Sequence, residues 1–328
     1  MTGKKILLWF ICGMLHLWSA AAVFYCVVPA LAKNLRFCLA LAYLVIIFSF
    51  VLSGRRKNLR LVISLAGFVI MALFYLSIKP RINAVYPAYL KPAYVVFDGS
   101  QAAIYDVRND DYRTKDDFDI RYEPRAYGLD SVRTLDAFIN FWGPKSVAHV
   151  FLSFGFTDGR YLAVSVEFRP ELGESYDLWA GIFKRYELIY IWGDERDLVR
   201  ARTNYRNEEV YIYRVRMSRE DIRKLLVSML NKTNQLYKSP EFYNTLTHSC
   251  TNTLVRHTKE AGIMVIPFWK QHIFTGDIDL RSYNQGWFYG DELPFEELRA
   301  KAKINAIAEA ADKDPEFSQK IRAGLSLN

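Results

Sequence analysis

The sequence predicts an α+β soluble domain built on an antiparallel sheet and preceded by three transmembrane helices. Three observations predict it. Residues 1–82 hold ten Lys and Arg but no Asp or Glu. The same segment is crowded with charge-free apolar stretches. From Ala148 to Phe168, two arms alternate apolar and polar residues around Thr-Asp-Gly, the period of a hairpin.

The apolar stretches run from Ile6 to Ala32, Phe37 to Ser53 and Leu61 to Ile78. A spanning helix needs about 20 apolar residues, with roughly 17 still sufficient, so all three qualify. The first is too long for the apolar part of a signal peptide and is followed by two more spans. The formal charge of +8 is concentrated here, because the rest of the chain holds 33 basic against 35 acidic residues. Basic residues flanking apolar stretches are a membrane signature, and a nucleic-acid partner is not expected. Lys4, Lys5, Arg55, Arg56, Lys57 and Arg60 fall on one side of the bilayer, and Lys33, Arg36, Lys79 and Arg81 on the other. The excess of positive charge puts the N-terminus in the cytoplasm and the soluble domain across the inner (cytoplasmic) membrane, in the periplasm.

Four segments follow from this pattern: a three-helix membrane region at 1–82, a juxtamembrane linker at 83–103, a catalytic domain at 104–292 and a C-terminal amphipathic helix at 293–328. The linker is expected to be extended, since Lys79 to Ala93 contains three prolines. Tyr94 to Pro144 reads as strands and turns. In the hairpin, a three-residue loop of Thr157, Asp158 and Gly159 pairs Val150 with Val166, Leu152 with Val164 and Phe154 with Leu162. A two-residue Asp-Gly turn would join an apolar face to a polar one, so the longer loop is expected. That register sets His149 opposite Glu167, close enough for the carboxylate to orient and charge the imidazole. An ordinary cross-strand polar pair has the same pattern.

Beyond the hairpin, Tyr176 to Tyr186 reads as a short helix, and Glu187 to Trp192 and EEVYIYRVRM as strands. Ser218 caps a long helix. Thr247 or Ser249 can cap a helix that begins near Cys250 and closes at Gly262. Pro294 to Ala311 is expected to be one amphipathic helix lying on the domain surface. Cys250 is the only cysteine outside the membrane region. A thiol at a helix N-terminus feels the positive end of the helix dipole, and a nearby imidazolium lowers its pKa further. First-turn N–H groups can also face an oxyanion. Cys250 is therefore the candidate nucleophile, His149 the base and Glu167 its orienting group. His248, His257 and His272 are rival bases, disfavoured by position. No HExxH or CxxC spacing occurs, so neither a metal nor another cofactor is expected.

The strings YRTKDDFDIRYEPRAYGLD, HVFLSFGFTDGRYLAVSVEFRPELGESY, YELIYIWGDERDLVRARTNYR and PEFYNTLTHSCTNTL resemble the Lnb N-terminal periplasmic domain family, over about Ile104 to Gly262. The resemblance implies a permuted papain-like fold of the NlpC/P60 type, in which a strand-borne His precedes the nucleophilic Cys. His149 and Cys250 match that order. Family members more often carry Asn just before the Cys, where this chain has His248 and Ser249. What supports the oxyanion here is thereby left open. Tyr243, Asn244, His248, Ser249 and Thr251 are the neighbouring candidates for substrate or oxyanion contacts. Glu195 and Arg196, from a block running Asp194 to Asp197, either join them or hold a turn. The family's namesake transfers an acyl chain to the amino terminus of a lipoprotein, which implies a thioester acyltransferase with membrane lipids and lipoproteins as partners. A cell-envelope cysteine amidase or peptidase and a non-catalytic binding module are the alternatives.

Overall fold

The computed structural model describes residues 3–27, 31–52, 57–80, 85–141, 148–263 and 275–325. Helices α1 (Gly3–Ala22, continuing as a π-helical turn Val23–Val27), α2 (Lys33–Leu52) and α3 (Lys57–Ser77) are each long and apolar enough to cross a membrane. Their lipid-facing residues are exposed, while a polar cluster is buried between them. His16 Nδ1 meets Tyr43 Oη at 2.7 Å and its Nε2 meets Ser64 Oγ at 2.5 Å. Such contacts join spans that share no hydrophobic driving force inside lipid. The side chains of Lys4, Lys5 and Lys57, together with Arg55, Arg56 and Arg81, lie outside the described residues and leave the charge bias across the bilayer as a sequence argument.

The soluble domain is α+β with a mostly antiparallel sheet. Its strands are β1 (Tyr94–Asp98), β2 (Gln101–Arg108), β3 (Asp111–Tyr112), β4 (Phe118–Asp119), β5 (Tyr122–Gly128), β6 (Val132–Phe141), β7 (Ala148–Phe156), β8 (Tyr161–Arg169), β9 (Glu187–Gly193) and β10 (Glu209–Arg214). The main sheet runs β1-β2-β9-β8-β7-β6-β10, with β5 also on β2, while β3 and β4 form a separate ribbon. Only β2 and β9 are parallel. β1 and the start of β2 lie within the stretch expected to be a linker. The Asn234 side chain holds β1 at the sheet edge, accepting from Val95 N at 2.7 Å and donating to Val95 O at 2.8 Å.

Helices α4 (Leu178–Ile182), α5 (Glu195–Leu198), α6 (Arg219–Lys238), α7 (Cys250–Glu260) and α8 (Ile278–Asn284) follow, then α9 (Phe295–Ala302), α10 (Asn305–Ala310) and α11 (Phe317–Lys320). As expected, Ser218 caps α6 and Ser249 caps α7, with Gly262 beyond its end at φ +69°. The C-terminal stretch departs from expectation. A single helix over Pro294 to Ala311 is broken at Lys303 and Ile304, where Ile304 N–H bonds Val210 O at 3.0 Å and Lys303 bridges to Tyr211. The broken chain drops Ile304, Ala308, Phe317 and Ile321 into a core on the second face of the sheet. This tail is therefore interior structure and not a surface helix, and it explains why β7 and β8 are buried on both faces. The first face is covered by α6 and α7.

A charge network pins the tail. Arg322 Nη1 donates to Glu195 Oε2 at 2.8 Å and its Nε to Asp136 Oδ2 at 2.8 Å, and Asp136 also pairs with Arg214. Both carboxylates and Arg322 are buried. Removing one partner of a buried ion pair strands the others without solvent, at a cost of about 3–5 kcal/mol. Arg322→Ala is expected to destabilise the soluble domain by that amount in denaturant titrations of the detergent-solubilised protein; a loss under about 1 kcal/mol, the range of an exposed pair, would refute it.

Candidate active site

The site begins with hairpin register. Phe156 N–H bonds Arg160 O at 3.0 Å around Thr157, Asp158 and Gly159, and Gly159 sits at φ +80°, which any side chain would strain. The three-residue loop sets Leu152↔Val164, Ser153↔Ala163, Phe154↔Leu162 and Gly155↔Tyr161, as the apolar faces require. The ladder then stops, so the expected strand pairing of Val150 with Val166, and of His149 directly opposite Glu167, does not form. β7 stays paired to β6 as far as Ala148↔Phe141, and β8 to β9 as far as Arg169↔Glu187. Beyond Leu152↔Val164 the sheet is a fork.

Alternation sends His149, stacked on Phe151, and Ser165 and Glu167 to the second face, while Val150 and Val166 join the first-face core. Cys250, the first residue of α7, packs against that first-face core. Nucleophile and imidazole thus come from opposite sides of the sheet and meet through the fork. The His149 side chain and the Val150 N–H both act on the Cys250 thiol, lowering its pKa. The Thr251 hydroxyl lies 3.8 Å from it. A cavity of about 250 Å³ opens here, with both cysteine and histidine on its wall.

Behind His149 the contact to Glu167 is partly relayed. Nε2 lies 2.7 Å from Ser165 Oγ and 3.3 Å from Glu167 Oε1, and Ser165 Oγ donates to Oε1 at 2.6 Å. Arg202 Nη2 closes the chain on the same oxygen at 2.6 Å. Ser165 and Arg202 join the site beyond the residues expected from the sequence. Ser165 could have been found, standing two positions before Glu167 on one strand face. Arg202 carries no such signal, because a π-helical turn, Ala201–Tyr205, brings it in.

Burial would push the His149 imidazolium down, but the charges of Glu167 and Cys250 and its hydrogen bonds to both raise its pKa to about 10. Burial likewise pushes the Cys250 thiol up. The His149 charge and hydrogen bond, then the Val150 N–H and Thr251 hydroxyl, outweigh it and bring the thiol below its ordinary value. Glu167 is also lowered against its burial, first by the His149 charge and hydrogen bond, then by Arg202 and Ser165. Both shifts favour a thiolate–imidazolium pair.

The other expected residues divide. Tyr243 and Ser249 line the cavity, and Thr251 is buried beside the sulfur. Asn244 does not line it. Its Oδ1 accepts from the N–H groups of Leu246 and Thr247, forming a turn. His248 lies off the cavity wall, with Nε2 facing Arg256 at 2.9 Å. His257 is a core residue between Tyr190 and Ser228, with its pKa lowered to about 4 by burial first and by Lys232 and Arg256. His272 lies outside the described residues. Glu195 and Arg196 are not on the cavity wall either: Glu195 holds Arg322, and Arg196 N–H caps onto Asp194 at 2.8 Å. The Asp194 to Asp197 block is structural, as Asp197 shows by gripping buried Arg108 through both oxygens. For the oxyanion, Asn252 N–H is taken by Ser249 Oγ and Thr253 N–H by Ser249 O. Among the described residues, the N–H groups of Cys250 and Thr251 have no such acceptor and remain for a ligand.

These shifts set a pH dependence. Alkylation of Cys250 by iodoacetamide follows the thiolate, so it is expected to stay fast well below the ordinary thiol pKa and to fall only on acidification through the depressed value. Above about pH 10 the imidazolium is lost and with it the proton donor. In His149→Ala the alkylation midpoint is expected to move up toward or beyond the ordinary thiol value, read by mass spectrometry of the Cys250 peptide. An unmoved midpoint would show that the two groups are not coupled.

Comparison with curated proteins and with solved structures returned no match. Residues 119–271 match the family model described as Lnb N-terminal periplasmic domain. The match starts later than Ile104 and runs past Gly262, and it contains both His149 and Cys250. With three apolar helices ahead of it, the chain is a membrane protein with a periplasmic domain, of a kind associated with the cell envelope. The segment that bears the candidate site is similar to the Lnb N-terminal periplasmic domain.

Proposed function

We propose that this protein is a membrane-anchored acyltransferase that works through a thioester on Cys250. The observation that carries the proposal is the largely buried chain His149, Ser165, Glu167 and Arg202 at the wall of a cavity shared with Cys250, a helix N-terminal thiol whose pKa is lowered. A strand-borne histidine preceding a helix-borne cysteine suits a permuted papain-like arrangement of the NlpC/P60 type. Lipids and lipoproteins suit the site as partners because three spans hold it at a bilayer surface. The charge bias of the loops supports an N-terminus in the cytoplasm and insertion in the inner membrane.

In the first half-reaction Cys250 Sγ attacks the carbonyl carbon of an acyl ester, and the carbonyl oxygen takes the charge facing the N–H groups of Cys250 and Thr251. Collapse expels the alcohol, which takes the proton from His149, and leaves a thioester. Neutral His149 then accepts a proton from an amine as it attacks the thioester. Sγ leaves as thiolate, and the thiolate–imidazolium pair is restored. Glu167 holds the imidazole and stays ionised throughout.

Cys250→Ala is expected to abolish transfer from a labelled acyl lipid in proteoliposomes, and the wild type to carry label on the Cys250 peptide when acceptor is withheld. An active Cys250→Ala protein would end the proposal. Rapid loss of label to water, with peptide released from cell-wall material, would instead identify an amidase or peptidase. No labelling at all, with ordinary thiol reactivity, would identify a binding module. His149→Ala is expected to lose on the order of 10²–10⁴ in rate, the usual contribution of a positioned acid–base group. Mass spectrometry of lipoprotein N-termini with and without the gene tests the acceptor, since transfer to lipoproteins alone changes acylation there.

A further inference from the structure

Helix α4 is the point at which the soluble domain meets the membrane helices. Ile182 O accepts from Tyr75 Oη at 3.2 Å and Phe183 O from Cys26 Sγ at 3.0 Å. The Phe183 ring enters the end of the bundle, stacked on Tyr25 at 5.5 Å and 6.1 Å from the ring of Trp18. Lys184, held at the left-handed φ of +55°, donates to Tyr75 O at 2.8 Å and lies over that ring. A non-glycine residue keeps such a backbone only where its surroundings compel it.

Depth follows from helix geometry. Trp18 stands nine residues before Val27, the last described residue of the first span. At 1.5 Å per residue it lies about 13 Å in from that end. Phe183, in contact with it, therefore sits below the end of the span, and Trp179 precedes Phe183 by one helical turn. Yet Trp179 is 61% exposed and Leu178 45% exposed. Two neighbouring turns carry more of the same. Leu246, 40% exposed, follows Asn244 and Thr245, which donate to Ile182 O and Leu178 O. Leu172, 65% exposed, lies in a loop whose Glu171 and Glu174 both hold Arg185. Large apolar side chains grouped around a membrane junction are not an ordinary solvated surface. Indole and leucine beside the end of the spans suit the lipid interface.

We infer that the apolar lip of Leu172, Leu178, Trp179 and Leu246 is embedded in the bilayer interface on the domain side of the membrane, so that the lipid surface is the partner of α4. The opposite side of α4 abuts the cavity. A Cβ on Gly181 would meet Thr245 Oγ1 at 2.2 Å and Tyr243 Cε1 at 3.4 Å, and both Thr245 and Tyr243 line the cavity that holds Cys250. One wall of the site thus rests on a helix whose outer side is in lipid. The inference needs the three spans but not a reaction at Cys250.

The test uses the full-length protein in nanodiscs of phosphatidylcholine brominated on its acyl chains. The contribution of Trp179 is the emission of the wild type less that of Trp179→Phe. It is expected to be blue-shifted, lost in brominated lipid and insensitive to aqueous acrylamide. Leu246→Trp on the Trp179→Phe background should restore a bromine-quenched signal, which guards against a local defect of the first variant. Quenching by acrylamide and not by bromine would place the lip in water and overturn the inference. Resistance to both quenchers would also overturn it, pointing to cover by a second copy of the chain. The quenching pattern reads α4 whether or not Cys250 forms a thioester, so failure of the enzymatic proposal leaves its own separate signature.

Discussion

Everything at the site depends on four groups of alternating charge held in line where β7 and β8 part. Arg202, Glu167, His149 and the Cys250 sulfur are each costly to desolvate alone, and the cost is met by alternating charge, with Arg202 at 2.6 Å and His149 at 3.3 Å from the same Glu167 oxygen. In a medium less polarisable than water that attraction is several times stronger than at a surface. The fork is what permits it. A continuous ladder between β7 and β8 would have kept the two faces of the sheet apart, with the thiol on one and the imidazole on the other. Val150 N–H, next to His149 beyond the end of the ladder, acts instead to lower the pKa of the Cys250 thiol.

The chain of charges needs an anchor at its far end, and the second face of the sheet supplies it. Arg202 donates to Leu198 O at 2.7 Å and lies over the Phe151 ring at 4.6 Å. A π-helical turn carries it, the local irregularity that frequently occurs at functional sites. That turn follows α5, whose Glu195 is clamped by Arg322 from the C-terminal tail. The C-terminal tail therefore supports the Glu167 carboxylate through α5 and the π-helical turn, and covering the second face makes the environment of Glu167 dry enough for its pairing to matter.

The membrane region and the soluble domain are joined by specific contacts as well as by a covalent connection. Phe183 and Lys184 plug into the end of the bundle, and the same short helix bears on the cavity wall through Gly181. The absence of a Cβ at Gly181 lets the wall and the membrane junction approach this closely. Such rigidity sets the orientation of the site relative to the membrane helices in advance, which the proposed reaction on bilayer substrates would need.

How much was legible in the sequence follows from the range of each interaction. The three spans, the α+β character, the loop of the hairpin and its register, the caps at Ser218 and Ser249, and the pairing of His149 with Glu167 were all readable. Each is decided by near neighbours: apolar length, a period of two, a glycine at positive φ, a side-chain oxygen at a helix start. Ser165 shared that local logic and was overlooked. The fold alone decided that Arg202 reaches Glu167, that Glu195 is committed to Arg322, and that the Pro294 to Ala311 stretch breaks to fill a second core. Those partners stand tens to more than a hundred positions apart, and an amphipathic pattern looks the same whether it covers a surface or seals an interior. The sequence by itself determined which side chains could form a thiol–imidazole–carboxylate line; only the tertiary structure opened the fork through which they meet, because strand divergence is set by what packs above and below the sheet.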